Sequence, residues 1–233
     1  MNAEVLVEKT ARYVERLFTG EGSGHDWWHI RRVWQNARAI GQKEGADLTV
    51  VQLGALLHDI ADWKFHGGDE EAGPTAAAAW LRSLGAAEDL VQPICQIIRE
   101  VTFKGAGVST MPSTLEAQVV QDADRLDAIG AIGIGRAFAY GGYKGREMYN
   151  PAIAPELHAT FEAYKTNQAP TLNHFYEKLF LLKDRLNTPS GKQMAQERHD
   201  FMEAFVGRFL AEWHGSDPAP ESFQIPISIN HSL

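Results

Sequence analysis

Cysteine is almost missing: Cys95 is the single one in 233 residues. No intrachain disulfide can form, which points to a reducing compartment. Cys95 lies in the apolar run Ile94 to Ile98, where a thiol behaves as a small core residue. No apolar run reaches the ~20 residues of a membrane-spanning helix. The opening Met1-Asn2-Ala3-Glu4 lacks the basic region and apolar core of a secretory signal, so a cytoplasmic location is expected. Basic residues are also short, 22 Lys and Arg against 30 Asp and Glu, for a formal charge of -8. That balance argues against general duplex binding, which needs clustered cations. It leaves room for a small anionic substrate drawn in by a metal ion. Strand-like alternation is nearly absent. With 44% hydrophobic residues the chain folds rather than staying disordered, and its length allows one large domain or two small ones.

What is present is helical periodicity. Residues 3–19 place Leu6, Tyr13, Val14 and Leu17 on one side, with charges between. Glycines at 20, 22 and 24 end that helix. A second is expected from Gly24 to about Glu44, with Ser23 and Asp26 spaced as a capping box and Gly45 as its stop. Residues 49–61 are apolar almost all round, the pattern of a short helix buried in a core. Residues 62–72 read as a polar loop. Helices follow over 74–84, with Pro74 in the first turn, and over 88–101, with Leu90, Ile94, Ile97, Ile98 and Val101 inward. After a loop at 102–113, a helix from about Thr114 to Ala123 leads into Asp124, and the helical pattern continues through Ile134 and Phe138. The glycines and prolines of 140–157 read as a long mobile loop over the site. Leu172, Phe175, Leu179, Leu182 and Leu186 mark one late helix. Met194, Phe201, Phe205, Phe209 and Trp213 mark another, the two joined at 187–191 as a helical hairpin. Residues 215–233 read as an irregular tail. The fold expected is all-α, with no internal repeat or clear interdomain linker.

Four positions stand out: His29, His58, Asp59 and Asp124. His58 and Asp59 end the buried stretch, where an imidazole and a carboxylate are costly unless paired or holding a metal. Each has an ordinary reading alone. A single core histidine is usually just hydrogen-bonded, and Asp124, among Asp122, Arg125 and Asp127, fits a solvated helix start. Together, two imidazoles and two carboxylates suit Mn, Fe, Co, Ni or Zn, and Mg less well. They leave positions open for water and a substrate oxygen.

Three segments carry a family resemblance. Gly24-His25-Asp26-Trp27-Trp28-His29-Ile30-Arg31-Arg32-Val33, then Leu56-Leu57-His58-Asp59-Ile60-Ala61-Asp62-Trp63-Lys64-Phe65, then Gln121-Asp122-Ala123-Asp124-Arg125-Leu126-Asp127-Ala128-Ile129-Gly130, resemble the HD-domain metal-dependent phosphohydrolases. Within them the bacterial YpgQ/YedJ-like branch is nearer. The resemblance spans about residues 3–214 and implies one HD-domain helical bundle over 1–214 with a C-terminal helical hairpin. It implies His29, His58, Asp59 and Asp124 as metal ligands, with Mn favoured. His25-Asp26 is a second doublet; with the family pair at 58–59, His25 and Asp26 become supporting or capping residues. In the alternative, His25 is the ligand in place of His29.

The resemblance implies phosphoryl chemistry on a nucleotide, foremost a nucleoside triphosphate cut between its α and β phosphates. A nucleoside monophosphate phosphatase, a cyclic-nucleotide phosphodiesterase and a non-catalytic ligand sensor stay open. Charge building on the phosphoryl oxygens needs cations. Lys64, just beyond Asp59, is first among them, ahead of Lys104, Arg125 and Lys144. Asp62 and Asp127 each lie three residues beyond a ligand. They are expected to orient water or to hydrogen-bond a ligand histidine, Asp62 on condition that its helix extends that far, and a surface carboxylate is the alternative for Asp127. Glu70 and Glu71 sit in the following loop, within reach of a substrate. Trp27, Trp28, Trp63 and Phe65 flank the site, as core or as surfaces for a base. No membrane partner and no stable nucleic-acid partner is expected, and a homodimer is left open.

Overall fold

The structure, a computed structural model, describes residues 2–20, 26–61, 69–101, 111–156 and 169–216. Among the described residues there is no β-strand, as an all-α chain requires. Contacts divide the chain into two compact units. The first holds the described residues up to Asp127 together with Asn187–Gly191; the second holds the described residues of Ala128–Leu186 and those from Lys192 to Ser216.

In the first unit, α1 (Ala3–Phe18), α2 (Trp27–Glu44), α5 (Glu88–Val101) and α6 (Leu115–Asp127) surround the short α3 (Leu48–Leu57), and α4 (Ala72–Ser83) packs on α5. Helix α3 is apolar on every side because neighbours cover every side: α1, α2, α5 and α6 all contact it. Its Leu53, Ala55, Leu56 and Leu57 are fully buried. Gly54 lets α5 close in, since a β-carbon there would stand 3.1 Å from Ile97 Cδ1. The start of α3 is fixed by Asp47, whose carboxylate accepts from the backbone N–H groups of Thr49 and Val50.

Several element ends differ from the sequence pattern, each for a local reason. Helix α2 opens at Trp27 with Asp26 itself as the cap, its side chain accepting from His29 N–H at 2.8 Å. Asp26 thus sits at the cap rather than three residues inside it, and Ser23 lies outside the described residues. Helix α3 stops at Leu57 instead of running to 61, and the Ile60 N–H bonds back to the Leu57 carbonyl in a tight turn. The continuous helix expected from Thr114 through Phe138 is two. It breaks after Asp127, and α7 (Gly130–Tyr143) starts at a glycine with φ 75°. Pro74 falls inside the first turn of α4, which begins two residues earlier, at Ala72. Cys95, on α5, is buried as expected, with its S–H directed at the Pro74 carbonyl.

In the second unit, α7 takes in the first residues of the stretch expected to be a loop at 140–157. The turns that follow are tied down where Thr171 and Leu172 N–H donate to the Glu147 and Met148 carbonyls. The helix expected over 172–186 is irregular, a π-helical turn at Phe175–Leu179 followed by a 3-10 stretch at Phe180–Arg185. Aromatic packing shapes this part. Phe175 is fully buried, with Phe138, Phe180 and Phe205 each about 6 Å away between ring centres.

The hairpin loop expected at 187–191 is instead the capped start of α8 (Pro189–Trp213). Thr188 Oγ1 accepts from Gly191 N–H at 3.0 Å, and Pro189 occupies the first helical position, which needs no N–H donor. Asp122 of α6, completely buried, secures this cap. Its Oδ1 accepts from Asn187 N and Nδ2, and its Oδ2 from Thr188 N and Oγ1, all at 2.8 Å. A β-carbon at Gly191 would lie 2.4 Å from Asp122 Oδ2, so only glycine fits there. Asp122→Ala removes the acceptor of four hydrogen bonds, two from buried Thr188 and two from part-buried Asn187. It is expected to lower unfolding free energy in urea by at least about 3 kcal/mol, and Gly191→Ala by about 1–3 kcal/mol through overpacking.

Candidate metal centre

The centre is assembled at three helix ends of the first unit. His29 sits in the first turn of α2, His58 and Asp59 directly follow α3, and Asp124 lies in the last turn of α6. Both imidazoles are buried, His29 at 2% and His58 at 7% exposure. Each is held from behind. His29 Nδ1 lies 2.7 Å from Asp127 Oδ2, and His58 Nδ1 lies 2.8 Å from the Ala55 carbonyl oxygen. A carbonyl or a carboxylate can only accept, so each Nδ1 carries the hydrogen and each Nε2 is left to face forward.

The two Nε2 atoms face the same pair of carboxylates. His29 Nε2 is 3.5 Å from both Asp59 Oδ2 and Asp124 Oδ1. His58 Nε2 is 3.4 Å from Asp59 Oδ2 and 3.9 Å from Asp124 Oδ1. These separations exceed an ordinary hydrogen bond. They approach the spacing of two ligands that share one ion at ~2.1 Å, which is roughly 3.0–3.4 Å. His58 Nε2 is also buried with no hydrogen-bond partner among the described residues, a costly state that an ion would relieve. The donor set and the orphaned nitrogen therefore fit a divalent metal, and the ligand atoms of His29, His58 and Asp59 all lie within 4.8 Å of one another. Asp124 is the most open of the four, its side chain 34% exposed, and marks the solvent side.

Burial alone would hold His29 neutral. That is the largest single effect, but the carboxylates of Asp127, Asp59 and Asp124 together outweigh it, and the imidazole pKa rises from 6.5 to about 9. An ion and that extra proton compete for the same place.

Asp127 is 1% exposed and lies behind His29, where both of its oxygens also receive Arg32, Nε at 2.6 Å and Nη2 at 3.0 Å. Arg32 carries no motif of its own in the sequence. The available signal is its spacing, one turn beyond His29 on the same helix face. Asp62, Lys64, Lys104, His25, Trp63 and Phe65 lie outside the described residues. Glu71 is engaged by both donor nitrogens of the Arg99 fork at 2.7 Å, and Glu70 precedes α4 in a turn. Trp27 is core, whereas Trp28 is 57% exposed under the Arg31 guanidinium. Arg125 lies on α6, and Lys144, in the second unit, stands over the rings of Tyr140 and Tyr143.

A family model described as HD domain matches residues 27–129, the segment that contains all four clustered side chains. The Bacillus subtilis protein YpgQ is 36% identical over 211 residues, covering 90% of this chain and 95% of its own. Among solved structures, an HD-superfamily hydrolase from Bacillus thuringiensis superposes with a TM-score of 0.75 at 41% identity, covering 92% of this chain and all of that one. The crystal structure of Bacillus subtilis YpgQ in complex with ADP gives a TM-score of 0.72 at 33% identity, covering 91% and 96%.

The raised His29 pKa predicts a stability profile for metal-free protein. A group whose folded pKa exceeds its unfolded value stabilises fully below the unfolded pKa, and that contribution fades as pH rises through the folded one. In chelator, the melting temperature is expected to fall between about pH 6.5 and about pH 9. Added Co or Mn ion is expected to raise it across that range, by the equivalent of about 2.7 kcal/mol at one hundred times Kd. His58→Ala should abolish the metal response, as differential scanning calorimetry would read.

Proposed function

The chain belongs to the HD-domain hydrolase superfamily, and from that premise we propose a divalent-metal-dependent phosphohydrolase acting on nucleotides, foremost on nucleoside triphosphates. One observation carries the reading: His29, His58, Asp59 and Asp124 gather their donor atoms around one point from three separate helix ends. Manganese is the favoured ion, because a mixed imidazole and carboxylate set suits it better than magnesium. When bound, a divalent ion supplies Lewis acidity and makes water a competent nucleophile near neutral pH.

The protein's own groups do the rest. His29 and His58 offer neutral nitrogens whose direction is fixed by their Nδ1 hydrogen bonds. Asp59 and Asp124 offer two negative oxygens that balance the ion's charge, and the partial exposure of Asp124 gives the substrate its side of approach. Asp62 follows Asp59 by three residues in sequence, beyond the end of α3, and is the candidate to orient water and take its proton. Lys64 is the candidate cation for the charge that grows on the equatorial phosphoryl oxygens. Asp127 serves from behind His29, since both of its oxygens are occupied there.

The reaction proposed is attack of water on the α-phosphorus: one new P–O bond forms, the bond to the bridging α–β oxygen breaks, and pyrophosphate leaves. Support for a nucleotide comes from the ADP complex of YpgQ; support for the particular bond comes from the resemblance to the YpgQ/YedJ-like branch.

The test is a panel of nucleoside triphosphates, monophosphates and cyclic nucleotides with Mn, Co, Ni and Mg, following pyrophosphate and orthophosphate separately. Pyrophosphate with an equal yield of monophosphate is expected. Orthophosphate from monophosphates would replace this reading with a phosphatase, and tight binding without turnover would replace it with a sensor. Asp59→Ala is expected to lower kcat/KM by more than about 100-fold, beyond the usual loss of a supporting group, with its helical circular dichroism intact.

A further inference from the structure

Asp127 is the most deeply buried carboxylate of the centre, at 1% side-chain exposure against 15% for Asp59 and 34% for Asp124. Helix α2 grips it through two side chains. Helix α2 presents His29 and, three residues on, Arg32 on the same face. His29 Nδ1 donates to Asp127 Oδ2, while Arg32 Nε donates to Oδ1 and Arg32 Nη2 to Oδ2. Asp127 is the only hydrogen-bond acceptor of Arg32 among the described residues.

A carboxylate held by a single hydrogen bond turns easily about its last torsion, because such sp³–sp² rotors have broad minima. The two-point fork of a guanidinium removes that freedom. Once Asp127 cannot turn, its Oδ2 fixes the plane of the His29 ring, and with it the direction of Nε2. Stability is a weak reason to keep such a pair, since desolvation offsets most of the attraction of a largely buried ion pair.

We infer that Arg32 is a positioning residue of the metal centre: through Asp127 it holds the His29 ring in the one orientation in which Nε2 faces His58, Asp59 and Asp124. The inference rests on reading the centre as a metal site.

The test is Co titration of purified protein, followed by the visible ligand-field spectrum and by calorimetry. Arg32→Met retains the apolar stem but donates nothing; it is expected to raise the Co Kd by about 10–100-fold and to alter the spectrum. Arg32→Lys keeps the charge without the fork and is expected to recover only part of the loss. In an Asp127→Asn background, Arg32→Met is expected to add nothing further, as for two groups acting in series.

A wild-type Kd and spectrum in Arg32→Met overturn the inference, and so do losses that multiply independently in the double variant. A lower metal-free melting temperature with unchanged Co binding assigns Arg32 to the fold alone and overturns it as well. Should Arg32→Met fail to fold, Arg32→Gln and Arg32→Lys provide the same comparison. Wild-type protein that binds no Co removes the metal reading itself, a result distinct from equal binding by wild type and variants.

Discussion

Two imidazoles buried against an apolar helix are the constraint that everything near the centre answers to. A ring nitrogen out of water must be given a partner, and each histidine here settles one nitrogen by a different means. His58 uses the carbonyl of Ala55, three residues back in its own helix. His29 uses Asp127, a carboxylate from another helix. The first is local and follows from where α3 ends. The second depends on α2 and α6 being side by side, so it couples the centre to the packing of the first unit.

Helix α6 shows how far environment rather than residue type decides what a carboxylate does. Asp122, Asp124 and Asp127 lie within two turns. Asp122 is fully buried and caps the start of α8 through residues 187–188. Asp124 is partly open and faces the histidines. Asp127 is buried behind one of them and neutralised by Arg32. Only the middle one keeps its oxygens toward the point where an ion would sit. Composition treats all three alike, and their partners separate them.

Much of the fold was legible because hydrophobic periodicity is strong. The helices from α1 to α6 all lie where the pattern puts them, with ends displaced by a few residues. The ends shifted because caps and tight turns are short-range chemistry that periodicity does not see: Asp26 in place of Ser23, and the turn that stops α3 at Leu57. Thr188-Pro189 falls in a stretch whose composition suggests a loop, although a capping threonine followed by proline is itself a helix-start signal. The irregular helix at 175–185 was not legible at all. Its leucines and phenylalanines repeat at helical spacing, but aromatic packing about Phe175 reshapes the backbone beneath them. For the centre, the order of His29, His58-Asp59 and Asp124 singled out the side chains that the fold gathers. Arg32 was overlooked because an arginine among other charges on a helix carries no mark of its own until its acceptor is known.

The solitary thiol has a use that follows from its location. Cys95 is 4% exposed, its S–H directed at the backbone of the first turn of α4, and burial pushes its pKa up. An alkylating reagent can reach it only when α4 and α5 separate. With no second sulfhydryl to confuse the signal, the rate of labelling becomes an internal stopwatch for breathing between those two helices, available in the natural chain without adding a dye or altering a residue.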